Sequence, residues 1–220
     1  MDYASRLRLV PPPLPLRHGL AMLNSMNEIT RIRTLCVFCG SSEGKGPLYR
    51  EAATQLALAM AEKSISLVYG GGGRGLMGLM ASSLYGKVSR VTGVIPERLY
   101  AMVKEIPHNE DELLIVKDMH ERKAMMYQLS DAFLALPGGV GTLEELMEAF
   151  TWLHLGYQRK PVGILNSQGY YDHLLAFLEH SVQEGFLKQE FLNCLVVEED
   201  PRLLIQRLES TPLELPGKLI

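Results

Sequence analysis

Three short segments carry residue types that could do chemistry on an anion. Pro137-Gly138-Gly139-Val140-Gly141-Thr142-Leu143-Glu144-Glu145 places glycines ahead of a threonine and two carboxylates. Glycines let backbone amides converge on an anion as a nest, and a threonine at the helix start adds a hydroxyl. Gly70-Gly71-Gly72-Gly73-Arg74-Gly75-Leu76-Met77-Gly78 is a second turn of this kind. Met119-His120-Glu121-Arg122-Lys123 supplies two adjacent cations. The candidate binding residues are therefore Gly138, Gly139, Gly141 and Thr142 in one turn and Gly72 and Gly73 in the other. Met119 and Lys123 join them from the basic segment, and Ser42 from a further turn, Gly40-Ser41-Ser42.

The carboxylates need separate readings. Glu144 is explained by the helix dipole, whose positive end favours acidic residues. Glu145 lies three residues after Thr142, on the same helix face, so it looks toward whatever the loop holds. A carboxylate beside an anion nest is repelled by the anion. Its presence is intelligible if a cation or a developing positive charge lies between them. Arg122 and Lys123 are the available cations, against the alternative that such a pair forms only a solvated basic patch.

Other patterns carry less. Gly70, Gly72 and Gly75 formally satisfy G-x-G-x-x-G, but Gly75 and Gly78 read as packing glycines. No Lys-Ser/Thr follows, so this is not a P-loop. The histidines lack the ligand spacing of a zinc site, so no metal and no cofactor are expected. His120 reads as structural. Cys36-Val37-Phe38-Cys39 matches C-x-x-C, yet along a strand its thiols point to opposite faces and become inert core. Met77, Met80, Met125 and Met126 read as core filling, and Trp152 as a core or subunit-interface residue.

These segments sit where a doubly wound α/β sheet would put them. Apolar runs at Leu35–Cys39, Ile65–Tyr69, Val88–Ile95, Glu112–Val116, Asp131–Leu136, Pro161–Leu165 and Cys194–Val197 predict about seven strands. Helical segments separate them, one starting at Pro47 and one behind Asp118 as N-cap. Near-continuous apolar strands alternating with helices imply a parallel sheet covered on both faces, a Rossmann-like sandwich. In such sheets ligands bind beyond the carboxyl ends of the strands, where all three glycine-bearing turns fall.

Composition bounds the rest. At 220 residues and 47% hydrophobic the chain suits one domain. A formal net charge of −3 argues against a general nucleic-acid binder. Three cysteines do not suggest a disulfide framework, and no apolar run reaches the roughly 18–20 residues of a membrane span. The expectation is a cytoplasmic protein. Residues 1–32, with Pro11-Pro12-Pro13-Leu14-Pro15 and no strand-like run, read as an extended or flexible arm; 33–210 form the domain and 211–220 a tail.

Taken together, the Pro137–Glu145, Gly71–Gly78 and Met119–Lys123 segments resemble those of the LOG (Lonely Guy) family. Cys39-Gly40-Ser41-Ser42 and Lys160-Pro161-Val162-Gly163 also fit its pattern. The likeness runs from about Arg33 to Leu208. Its members are cytokinin riboside 5′-monophosphate phosphoribohydrolases, long labelled as lysine decarboxylases. The resemblance implies that Arg122 and Glu145 carry catalysis while the glycine turn and Thr142 hold a 5′-phosphate. It also implies a homodimer or larger assembly, and a nucleoside 5′-monophosphate as the partner molecule. Val140 departs from the tyrosine usual in plant members. The alternative is a nucleotide or molybdopterin-cofactor carrier, which needs the phosphate nests but not Glu145. A dinucleotide oxidoreductase fits less well: Glu97, its acidic candidate, follows Pro96, and Arg122 and Lys123 would go unexplained.

Overall fold

The computed structural model describes residues 7–9, 31–106 and 109–211. Eight parallel strands form one sheet: β1 (Leu7–Leu9), β2 (Thr34–Phe38), β3 (Ser66–Tyr69), β4 (Val91–Pro96), β5 (Glu112–Val116), β6 (Ala132–Ala135), β7 (Val162–Leu165) and β8 (Leu195–Glu198). Their order is β1-β5-β4-β3-β2-β6-β7-β8. From β2 the chain first builds outward to β5, then returns to the other side of β2 for β6. The sheet therefore has a switch point between β2 and β6, where strand ends diverge and a crevice opens.

The seven expected strands are all present. The eighth corrects the reading of the arm: Leu7–Leu9, assigned to a stretch without strands, pairs in parallel with Leu113–Ile115 of β5. An edge strand offers a row of free backbone donors and acceptors, so three residues can join it without a sequence signal. The proline run at 11–15 lies outside the described residues.

The helices are α1 (Leu48–Glu62), α2 (Gly75–Leu84), α3 (Glu97–Val103), α4 (Met119–Leu129), α5 (Val140–His154), α6 (Asp172–Gln183), α7 (Gln189–Leu192) and α8 (Pro201–Ser210). The sequence reading gave no helix at α3 or α7. Both are short, and α3 buries none of its residues, so it lacks the apolar stripe that periodicity detects. Two apolar cores clothe the sheet. Leu35, Val37, Cys39 and Leu67 join α1, α2 and α8 on one face, while Cys36, Phe38 and Val68 join α4 and α5 on the other. Cys36 and Cys39 thus lie on opposite faces as expected, and burial pushes both thiols upward in pKa. Met80 and Met126 are buried in these cores, and Trp152 packs on Tyr127 with ring centroids 4.5 Å apart. No helix among the described residues is long and apolar enough to cross a membrane.

Candidate active site

The crevice at the switch point is built from backbone. Beyond β2 the chain turns through Gly40 and Ser42; beyond β6 it turns through Pro137 and Gly138. The Gly40 amide donates to the Pro137 carbonyl at 3.1 Å and ties the two strand ends together. A cleft of about 210 Å³ opens there, lined by Ser42, Gly138, Gly139, Tyr49 and Tyr170 among others. A larger hollow, about 430 Å³, lies by Leu175, Leu192 and Arg207 and contains none of the candidate residues. Chemistry, not size, directs attention to the first.

The glycines of the two loops divide into those that pack and those that stay open. A Cβ on Gly75 would lie 2.3 Å from the Ser41 carbonyl carbon, and its φ of +62° is a left-handed value. One on Gly78 would lie 2.3 Å from the Gly73 carbonyl oxygen. Both are packing glycines, as expected. A Cβ on Gly138 would strike Thr142 Oγ1 at 2.1 Å, so this glycine lets the buried Thr142 hydroxyl fold back over the loop. Gly139 and Gly141 face open space. Gly139 is the N-cap of α5. The amides of Gly139, Val140 and Gly141 find no acceptor among the described residues, as the first turn of any helix leaves them. An anion at this loop would meet them together. Val140 is 87% exposed and leaves the nest unobstructed.

The charged centre draws on the next turn of the same helix, α5. Arg122 and Glu145, both buried, approach to 3.2 Å between Nη2 and Oε1. Arg122 comes from the first turn of α4, which begins where Asp118 accepts the amides of His120 and Glu121, each at 3.0 Å. The guanidinium is steered by its Nε, which donates to the Val94 carbonyl at 3.2 Å, and by the Met119 sulfur 3.7 Å from Nη1. Gly70 makes its seat: a Cβ there would fall 2.0 Å from Nη2. Burial pushes the Glu145 carboxyl above the usual carboxylate range; Arg122 pulls it back, and Glu144 pushes it further up.

Lys123 is turned elsewhere. Expected as a second ligand for the anion, it is ion-paired to Glu144 and, at 3.0 Å, to Glu148, which also accepts from the Tyr127 hydroxyl at 3.0 Å. Its adjacent position puts it on another azimuth of α4 from Arg122, as expected, and α5 presents carboxylates one turn apart to meet it. Burial alone would lower its pKa, but these two partners outweigh it and raise it. Glu144 accordingly answers to Lys123 rather than to the helix dipole, since it lies beyond the first turn of α5. The exposed His120 contributes its backbone amide to the Asp118 cap.

Known proteins resemble this chain closely. Residues 77–208 match the family model described as "Possible lysine decarboxylase". The rice (Oryza sativa subsp. japonica) protein "Probable cytokinin riboside 5′-monophosphate phosphoribohydrolase LOGL2" is 48% identical over 82% of this chain and 74% of its own. The Arabidopsis thaliana "Cytokinin riboside 5′-monophosphate phosphoribohydrolase LOG7" is 49% identical over 82% and 83%.

The chain belongs to the LOG family.

Among solved structures, the molybdenum cofactor binding protein from Rippkaea orientalis superposes with a TM-score of 0.60 at 21% identity, covering 82% of this chain and 97% of that one. The Moco carrier protein from Chlamydomonas reinhardtii gives 0.58 at 17%, covering 83% and 100%. At such identities they share the LOG-family fold, and nothing finer follows. For this LOG-family chain the structure brings Arg122 and Glu145 together and sets Thr142 against Gly138. Gly70, the Val94 carbonyl and Tyr170 were missed as participants. Gly169-Tyr170-Tyr171 sits just past the carboxyl end of β7, and that position in a doubly wound sheet was the available signal.

Proposed function

We propose that this LOG-family chain hydrolyses the N-glycosidic bond of purine nucleoside 5′-monophosphates of the cytokinin type, releasing the free base and ribose 5-phosphate. The observation that carries the reading is the buried Arg122–Glu145 pair at 3.2 Å, with Glu145 one helical turn beyond Thr142. Its support from outside the structure is the phosphoribohydrolase name of relatives 48–49% identical. The 5′-phosphate sits on the Gly139 and Gly141 amides with the Thr142 hydroxyl, and Ser42, Gly72 and Gly73 border it.

Cleavage passes through an oxocarbenium-like state with positive charge at C1′. Water oxygen bonds to C1′ as the bond to the base nitrogen breaks; one proton of that water passes to Glu145, the base departs with the electron pair of the broken bond and takes a proton from solvent, and Glu145 returns its proton to solvent. A carboxylate held without water around it stabilises C1′ more than a solvated one and orients the nucleophile. Arg122 opposes the rise in the Glu145 pKa that burial causes and so favours the ionised form. The enzyme acts as a homodimer or larger assembly in the cytoplasm and needs no metal or cofactor.

The test incubates the protein with AMP and with N6-isopentenyl-AMP, with and without Glu145→Gln, and follows free base by chromatography. Release by the wild type, reduced roughly 10²- to 10⁴-fold in the variant, is the expected result. Binding of both nucleotides with no base released overturns the hydrolase in favour of a carrier.

A further inference from the structure

The nest at Pro137–Gly141 has a weak point. The peptide joining Gly138 to Gly139 is flanked by glycines on both sides, and no Cβ restrains its rotation. In a trans peptide the carbonyl and the amide point in opposite directions. Whatever holds the Gly138 carbonyl therefore aims the Gly139 amide.

The Tyr170 hydroxyl holds it, donating to the Gly138 oxygen at 2.6 Å. The carbonyls ahead of it are held in the same way. The Tyr171 hydroxyl donates to Leu136 O at 2.7 Å, and the Gly40 amide donates to Pro137 O at 3.1 Å. The tyrosine pair is itself fixed. Asn166 Oδ1 accepts the Tyr171 amide at 2.8 Å, and the Tyr170 ring packs edge-on against both Tyr49 and Tyr171. Gly139 meets nothing on its open side.

We infer that Tyr170 is a positioning residue for the phosphate subsite: its hydroxyl fixes the Gly138–Gly139 peptide so that the Gly139 amide faces the phosphate. This rests on the phosphate assignment made above and adds the device that pre-organises it. Without the hydroxyl the peptide samples other orientations, and binding must select the competent one. The loss falls on phosphorylated ligands alone, because the base and sugar do not touch this peptide.

The test is Tyr170→Phe, which keeps the ring on Tyr49 and Tyr171 and removes only the hydroxyl. Calorimetry measures ribose 5-phosphate and adenosine binding to both proteins, and steady-state kinetics follows AMP. The expected result is ribose 5-phosphate binding weakened about three- to tenfold, the worth of one hydrogen bond, with adenosine binding unchanged and the kinetic loss appearing in KM rather than kcat. Equal affinity of wild type and variant for ribose 5-phosphate overturns the inference, as does equal weakening of both ligands. Wild type that binds no ribose 5-phosphate overturns the phosphate assignment itself. A measurement independent of any variant follows the Gly139 amide resonance of the wild type as inorganic phosphate is added. It should move, and its failure to move also overturns the inference.

Discussion

Replacing Arg122 by methionine keeps most of the side chain's bulk and removes its charge, which isolates what the guanidinium does for Glu145. At 3.2 Å, and with an effective dielectric of about 20, the pair attracts by roughly 5 kcal/mol. Desolvation offsets part of that, and removing one member of a buried pair costs about 3–5 kcal/mol because the other is left uncompensated. The bond from Nε to the Val94 carbonyl accounts for roughly 1.5 kcal/mol of it. The remainder, about 1.5–3.5 kcal/mol, belongs to the stranded Glu145 carboxylate. Two consequences separate these shares. Adding Glu145→Gln to Arg122→Met should return that remainder but not the Val94 share. Lowering the pH should also return it, because Arg122 is the stronger of two cations, with Lys123, that hold the Glu145 pKa down, and without it the carboxyl takes up a proton more readily. Urea denaturation of the wild type, both single variants and the double variant, at pH 8 and pH 5, reads all of this. An Arg122→Met penalty identical at the two pH values, and untouched by Glu145→Gln, would refute the reasoning and leave Arg122 as a packing residue.

Four further outcomes are expected. The acidic limb of kcat/KM against pH should lie above the ordinary glutamate value of about 4.3, since Glu145 works ionised and burial raises its pKa; a limb at or below that value counts against Glu145 as the working carboxylate. Relative to the wild type, Glu145→Gln should gain melting temperature as pH rises from 5 to 8, on top of whatever Arg122 loses by being left without its partner. A carboxyl whose folded pKa is raised destabilises the fold once ionised, so this gain should close as pH falls through the folded value toward the unfolded one; differential scanning calorimetry across pH decides it. Gly70→Ala should push the guanidinium from its seat, since the added Cβ would lie 2.0 Å from Nη2. An ångström of misplacement lowers kcat/KM by roughly 10²-fold, and turnover as active as wild type would show that Arg122 has room. Gly75→Ala should instead damage the fold, by about 1–3 kcal/mol or more through its left-handed φ and the clash with Ser41, seen as a lower melting temperature with or without nucleotide.

Much of this was legible before any coordinates, and the gaps have physical reasons. The strands were readable because parallel strands buried on both faces become apolar runs, as Leu35–Phe38 and Phe133–Leu136 do. Asp118 announced its helix because a short acceptor side chain ahead of a helical pattern satisfies free amides. Arg122 and Glu145 could be paired by resemblance, but Gly70 as the arginine's seat could not. That role depends on β3 and α4 meeting across 50 residues, and no local pattern encodes it. Lys123 was misdirected for a related reason. Adjacent residues on a helix face different neighbours, and which neighbour carries carboxylates is known only when α5 is laid beside α4. Tyr170 was passed over because it acts through one hydroxyl on one carbonyl, a bond that leaves no periodicity behind.

The fold alone does not separate a hydrolase from a carrier. Proteins that bind or carry the molybdenum cofactor share it at TM-scores of 0.58–0.60, and a sheet with open glycine turns beyond its strand ends suits either task. What a carrier has no use for is a carboxyl group buried against an arginine one turn past the loop that would hold an anion. Glu145 is 7% exposed and among the described residues has Arg122 and Lys123 as the cations that lower its pKa. Lys123 is already committed to Glu144 and Glu148. A binding protein would gain affinity for the anion by replacing such a group with a neutral one. Retaining it is favourable only if positive charge appears beside it during turnover, which is the charge an anomeric carbon acquires when its bond to a base breaks.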